Sequence, residues 1–245
     1  MPAANRILDQ LTIVEAERAI RVAEPGLGEK VRVVKEYQQR RFRHTYGDLL
    51  GSARYGPASR FFLDELYGPT DFSQRDAQFA RVVPALVRLF PQEIVRTVAA
   101  LAELHALSER LDTLMGLHLQ RAEIAATNYV LAWQATGCEP ERRRQIDLTL
   151  DVAGSLDRLT RKPLLRNSLR LMRGPARAAG LGDLQKFLEV GFDTFKTMNG
   201  AEEFVALVGE RERALAVALF GAGVLPAGVE GTMSEILKIL PPPVL

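Results

Sequence analysis

Cysteine is almost missing from this chain: Cys138 stands alone among 245 residues. An intrachain disulfide and every CxxC redox or zinc motif are therefore excluded. One thiol fits a reducing compartment, and the cytoplasm is the expected location. Histidine is nearly as scarce, with His44, His105 and His118, which removes most multi-histidine metal schemes. Valine and isoleucine total 27 against 65 leucines and alanines, a balance that favours helix over sheet. No segment alternates apolar and polar residues between hairpin turns. The longest uncharged run, Ala214–Val229, has 16 residues and is interrupted by Gly221, Gly223, Pro226 and Gly228. That is shorter than the roughly 20 apolar residues a spanning helix needs. The first residues, MPAANRILDQ, lack the apolar core of a signal peptide. The net charge of +2 creates no general field toward nucleic acid. Nucleic acid is accordingly not an expected partner.

What is present is helical period. Ile7, Leu8, Leu11, Val14 and Ile20 recur at three- and four-residue steps, predicting a first helix from about residue 5 to Pro25-Gly26. A second is expected over 29–50, and a third from Pro57 to Gly68-Pro69. A fourth opens at a capping box of Asp71 and Gln74, with a kink at Pro84. The fifth opens at Pro91 and reaches about Leu119. A sixth carries Ile124, Tyr129 and Trp133 and ends at Gly137. Glu139-Pro140 opens the seventh. Pro163 opens the eighth, which ends near Gly180, and Asp183 caps the ninth. Asn199-Gly200 stops that helix before a tenth, with Glu202 and Glu203 in its first turn.

The motifs of common chemistry are not found. The sequence holds no GxxxxGK[ST] loop, no GxGxxG after a strand, no HExxH, no GxSxG and no ExxH. No cofactor is named by the sequence. Four features nevertheless rise above the background.

The first is Phe61-Phe62-Leu63-Asp64-Glu65-Leu66-Tyr67-Gly68-Pro69. Together with Asn199-Gly200-Ala201, Phe204 and Arg211-Glu212 it resembles an uncharacterised bacterial family known by its FFLEELY motif, with Asp64 replacing the first Glu. The resemblance implies a helical bacterial protein and carries over no catalytic residue. Pairs four apart, Phe62/Leu66 and Leu63/Tyr67, can bury one side of a short helix. The alternative use of Phe61, Phe62, Asp64, Glu65 and Tyr67 is an exposed aromatic and acidic docking patch.

The second is a polar stripe on the apolar fifth helix. At about 100° per residue, His105, Glu109 and Asp112 fall within about 60° of one another. A helix apolar on its other sides is expected at the centre, where such a stripe needs partners. His44 and Asp48 are again one turn apart on the second helix. If the two pairs faced each other they could bind a metal, in the manner of a haem-oxygenase-like oxidase, or a carboxylate could orient a catalytic His105. In the bland alternative, the stripe is met by arginines of a neighbouring helix.

The third is basic. From Arg158 to Gly182 no acid occurs, and Arg166, Arg170, Arg173 and Arg177 share an arc of about 60° on the eighth helix. Such a face can hold phosphates, an acidic protein, an anionic ligand or a membrane surface, unless acids of other helices occupy it. The fourth is Arg40-Arg41 and Arg43 among Tyr37, Tyr46 and Tyr55. With an acidic neighbour this group is structural; with an anionic ligand it is a site.

The expectation is an all-α protein: a single domain over 1–240, an irregular bundle of nine or ten helices, followed by a mobile proline-rich tail at 241–245. The leading functional reading is a non-catalytic binding or scaffolding protein that uses helix faces, with a second copy among the possible partners. The competing readings are the metal-dependent oxidase, and a bundle that binds a small apolar or anionic ligand in its interior.

Overall fold

The structure is a computed structural model that describes residues 2–66, 72–221 and 237–242. Among these residues there is no strand, as the leucine- and alanine-rich composition requires. Twelve α-helices and one π-helical segment follow one another. They are α1 (Pro2–Ala23), α2 (Leu27–Thr45), α3 (Gly47–Gly51), α4 (Gly56–Phe61), the π segment Phe62–Leu66, α5 (Ser73–Leu89), α6 (Gln92–His118), α7 (Ala126–Ala135), α8 (Glu139–Thr160), α9 (Pro163–Leu171), α10 (Arg173–Ala178), α11 (Gly182–Met198) and α12 (Glu202–Gly221).

The longest helix, α6, is the axle. It packs against α1, α2, α5, α7 and α8, which is why its leucines occur on several sides. It comes close to α2 at Gly116. A Cβ on Gly116 would lie 2.6 Å from Val31 Cγ2, so glycine is what lets the two helices meet there. Two aromatic-rich clusters form much of the core. Tyr37, Tyr129 and Trp133 meet Met115, Leu215, Leu219 and Leu240 in one. Phe61, Phe62, Phe195 and Phe204 meet Tyr46 and Met198 in the other. Leu240 is only 2% exposed and Pro241 is buried beside it, whereas Pro242 is exposed.

Several expected helices are interrupted, each for a local reason. The second breaks at Tyr46 (φ −116°, ψ 26°), whose buried ring and hydroxyl are fixed by tertiary contacts with α12. The eighth breaks between Leu171 and Arg173, because Pro175 has no N–H to return to the carbonyl four residues earlier. α5 passes through Pro84 as one continuous helix. Asp71 of the expected capping box lies outside the described residues, and α5 opens at Ser73. Asp183 does not cap α11. Gln78 of α5 accepts from the Leu184 backbone N–H at 3.1 Å and donates to Asp183 Oδ2 at 3.1 Å.

The FFLDELYGP stretch corrects the docking-patch expectation. Phe61, Phe62 and Leu63 are buried. Phe61 stacks on Phe187 at 5.5 Å, and Phe62 lies between Phe195 and Phe204. Asp64 is exposed, and Glu65 pairs with Arg75 at 3.3 Å. Tyr67 lies outside the described residues. The π turn replaces the expected pairing at four-residue steps by a wider one. Its carbonyls are taken up from outside: Gln39 of α2 donates to Leu63 O at 3.3 Å, and Arg75 of α5 donates to Glu65 O at 3.1 Å.

Candidate functional site

The interior around α6 holds two cavities, of about 160 Å³ and about 60 Å³. Gln38, Phe62, Gln145 and Thr149 line both, so they form two lobes on either side of one partition.

The polar stripe of α6 lies along the larger lobe, with His105, Glu109 and Asp112 all in its wall. Helical period brought these three together; the fold brings their partners. His105 Nε2 lies 3.0 Å from Asp76 Oδ2 of α5, and Arg18 of α1 donates to the same oxygen. Burial pushes the Asp76 carboxyl up, but His105 and Arg18 outweigh it and hold the group below the usual range. Glu109, 6% exposed, receives Arg21 of α1 on one carboxylate oxygen and Lys35 of α2 on the other. Arg21 also donates to the Glu109 carbonyl and to Thr113 Oγ1. Burial again acts upward, yet Lys35 and Arg21 bring Glu109 down to about 2. Asp112 accepts from the neutral Gln38 Nε2 at 3.1 Å. Burial, reinforced by the nearby Glu109 charge, raises its pKa. The rest of the lining is largely apolar, with Leu11, Phe79, Leu86 and Leu184 from other helices and Val98 and Leu101 from α6 itself.

The smaller lobe is built by α2, α7, α8 and α12 and contains two deeply buried arginines. Arg41 is 7% and Arg142 2% exposed. Arg41 Nη1 pairs with Glu212 of α12, whose Oε1 also accepts from Tyr46 Oη at 2.6 Å. Arg142 lies 3.9 Å above the Trp133 ring and donates to Gln145 Oε1 at 3.0 Å. Tyr129 and Trp133 occupy successive turns of α7, with ring centroids 5.9 Å apart. Burial raises the Tyr129 pKa, keeping its hydroxyl protonated. Three donors of this lobe, Tyr129 Oη, Trp133 Nε1 and Arg41 Nε, are buried without a hydrogen-bond partner among the described residues. Buried donors without acceptors are costly and rare.

The expected pairing of His44 and Asp48 with the α6 stripe does not occur. Beyond Gln38, α2 leaves α6 and meets α12. His44 is exposed, and Asp48 forms a two-pronged ion pair with Arg211 at 2.8 and 2.7 Å. Among the described residues no three or more His, Cys, Asp or Glu side chains gather as a metal-holding group. The basic face is largely occupied. Arg166 is paired with Asp193, and Arg173 with Glu189, both on α11. Arg170 and Arg177 are exposed. Of the smaller lobe, the sequence singled out Arg41 and Tyr46 within the Arg40-Arg41 cluster, and Glu212 within the resembling stretch. Arg142 gives no such signal, being one of three consecutive arginines. Tyr129 and Trp133 read only as an apolar helix face.

The chain belongs to a family described as a domain of unknown function (DUF8198), whose model matches residues 17–225. No curated protein matches the chain, and no solved structure does.

Proposed function

We propose that the protein binds a small organic molecule inside its helical bundle, in the two-lobed chamber beside α6. The observation that carries this reading is a trio of buried donors without acceptors among the described residues, on Tyr129, Trp133 and Arg41, three residues of a cavity whose remaining walls are mainly apolar. Ligand sites combine such apolar walls with a few convergent polar groups. The larger lobe supports the reading by its size, close to the roughly 150 Å³ cavity that accepts benzene in an engineered protein.

Native mass spectrometry of the intact chain, followed by organic extraction, tests it. A discrete adduct of one molecule per chain is expected. A bare polypeptide mass, together with no thermal shift toward ring-sized organic compounds, removes the reading. We further propose that the family is the bacterial FFLEELY-motif group, on the strength of residues 61–67, and that it works in the cytoplasm, as the single Cys138 suggests.

A second reading uses helix faces. A groove of about 580 Å³ bounded by Arg161, Arg166, Arg170 and Lys196 supports an acidic protein as partner. Unchanged binding to that partner after reversing Arg166 and Arg170 to Glu ends it.

A further inference from the structure

We infer that the chamber's ligand is a small carboxylic acid: a carboxylate held in the smaller lobe, joined by a short chain to an apolar, ring-sized body in the larger one. This rests on the interior-binding reading above and adds the ligand's chemical class and direction.

The class follows from the kind of groups left over. An indole N–H and an arginine Nε–H can only donate, and the Tyr129 hydroxyl, kept protonated by burial, can donate as well. All three therefore call for an acceptor. A neutral carbonyl would satisfy one or two of them, whereas the two oxygens of a carboxylate offer about four lone-pair positions. Charge favours the anion too. Two guanidinium groups, Arg41 and Arg142, wall this lobe with the one carboxylate of Glu212. Hydrogen bonds to an ionised acceptor are about twice as strong as neutral ones. The lobe's volume, about 60 Å³, has room for a carboxylate group.

The direction follows from the partition and from the larger lobe. Gln38, Phe62, Gln145 and Thr149 line both spaces, so only side chains lie between them, and a ligand reaching from one lobe into the other must displace part of that layer. In the larger lobe, His105, Glu109 and Asp112 are already engaged by Asp76, Arg21, Lys35 and Gln38. They leave the apolar wall of Phe79, Val98, Leu101 and Leu184 to receive the rest of the ligand. An acid anchored the other way round would bring its charge beside Glu109, which is ionised.

The chain supplies its own reporter, because Trp133 is its single tryptophan and lines the anchoring lobe. The full-length protein is titrated with 3-phenylpropanoate, 3-phenylpropanamide and ethylbenzene, following Trp133 fluorescence and heat. The acid is expected to bind saturably at one site, and the amide at least about tenfold more weakly. Tyr129→Phe removes one donor and no protein hydrogen bond. It should weaken the acid by about three- to tenfold and leave ethylbenzene unchanged. Trp133→Phe, followed by calorimetry, removes a second donor and is expected to act in the same direction. Equal binding of acid and amide overturns the carboxylate while leaving interior binding intact. Preference for the acid without any effect of either variant overturns the assigned anchor. Failure of all three compounds overturns the inference and the interior-binding reading together.

Discussion

Glu109 and Asp112 lie one turn apart on α6, equally buried, yet their protons respond in opposite directions. Glu109 sits between Arg21 and Lys35 and is held at about 2. Asp112 has a neutral amide as its hydrogen-bond partner and is raised by burial. The difference arises in the partners supplied by α1 and α2, since helix, depth and carboxyl chemistry are shared. Removing the Glu109 charge leaves two part-buried cations without their shared carboxylate, a loss on the order of 3 kcal/mol. Glu109→Gln should therefore lower the urea midpoint sharply at neutral pH. Asp112→Asn keeps an acceptor for Gln38 and removes a poorly compensated charge, so it should be neutral or stabilising in the same assay.

The same pair sets an acid limb. The folded pKa of Glu109 lies below the ordinary glutamate value of about 4.5, so its contribution is fully present above about 4.5. It is lost as the pH falls toward about 2. The Glu109 share of that loss is on the order of 3 kcal/mol. Asp112 works against it: its raised pKa disfavours the folded state as the pH rises and the carboxyl ionises. Denaturant midpoints measured from pH 7 to pH 2 should fall in the wild type. The Glu109→Gln variant should show a distinctly shallower fall, and an unchanged slope would contradict the assignment.

Gly116→Ala offers a test of the α2–α6 contact. Alanine gains about 1 kcal/mol of helix propensity over glycine in an exposed helix interior. Here its methyl group would meet Val31 Cγ2 at 2.6 Å and Leu27 Cδ1 at 3.1 Å. Overpacking costs about 1–3 kcal/mol. A net destabilisation of up to about 2 kcal/mol is expected from calorimetric unfolding, and a rise in Tm would contradict the close approach.

The connection between α11 and α12 depends on Arg54. This side chain donates to the carbonyls of Met198 at 3.0 Å and Gly200 at 3.2 Å and reaches Glu203 at 3.1 Å. Between the helices Asn199 adopts φ 52° and Gly200 φ 109°. Arg54→Ala should cost about 1–2 kcal/mol. Asn199→Ala should cost about 1 kcal/mol, and Asn199→Gly very little. Chemical denaturation of the three variants separates the turn's backbone preference from the arginine's support.

The helices themselves were legible because propensity and period are local. The α6 stripe was legible for the same reason: three residues at i, i+4 and i+7 share a side of any helix. Its partners were not. Arg21 is 88 residues from Glu109 and Gln38 is 74 from Asp112, and no spacing rule connects such positions. The His44 and Asp48 pair shows the converse failure. Their helical spacing suggested a common face, but the break at Tyr46 separates them: His44 stays exposed on α2, and Asp48 in α3 meets Arg211 of α12. The aromatic start of the motif, Phe61, Phe62 and Leu63, is packed as the core reading held, under Phe187, Phe195 and Phe204, whereas the expected stop at Gly68-Pro69 lies outside the described residues. Arg142, the most buried arginine of the smaller lobe, looked like any other in a run of three.

The π turn at Phe62 has a mechanical consequence. Phe62 is a wall of both lobes, and the carbonyls that follow it hang from Gln39 on one helix and Arg75 on another. The wall shared by the two lobes is thereby tethered at its backbone to α2 and to α5 at once, while its ring rests on Phe195 and Phe204.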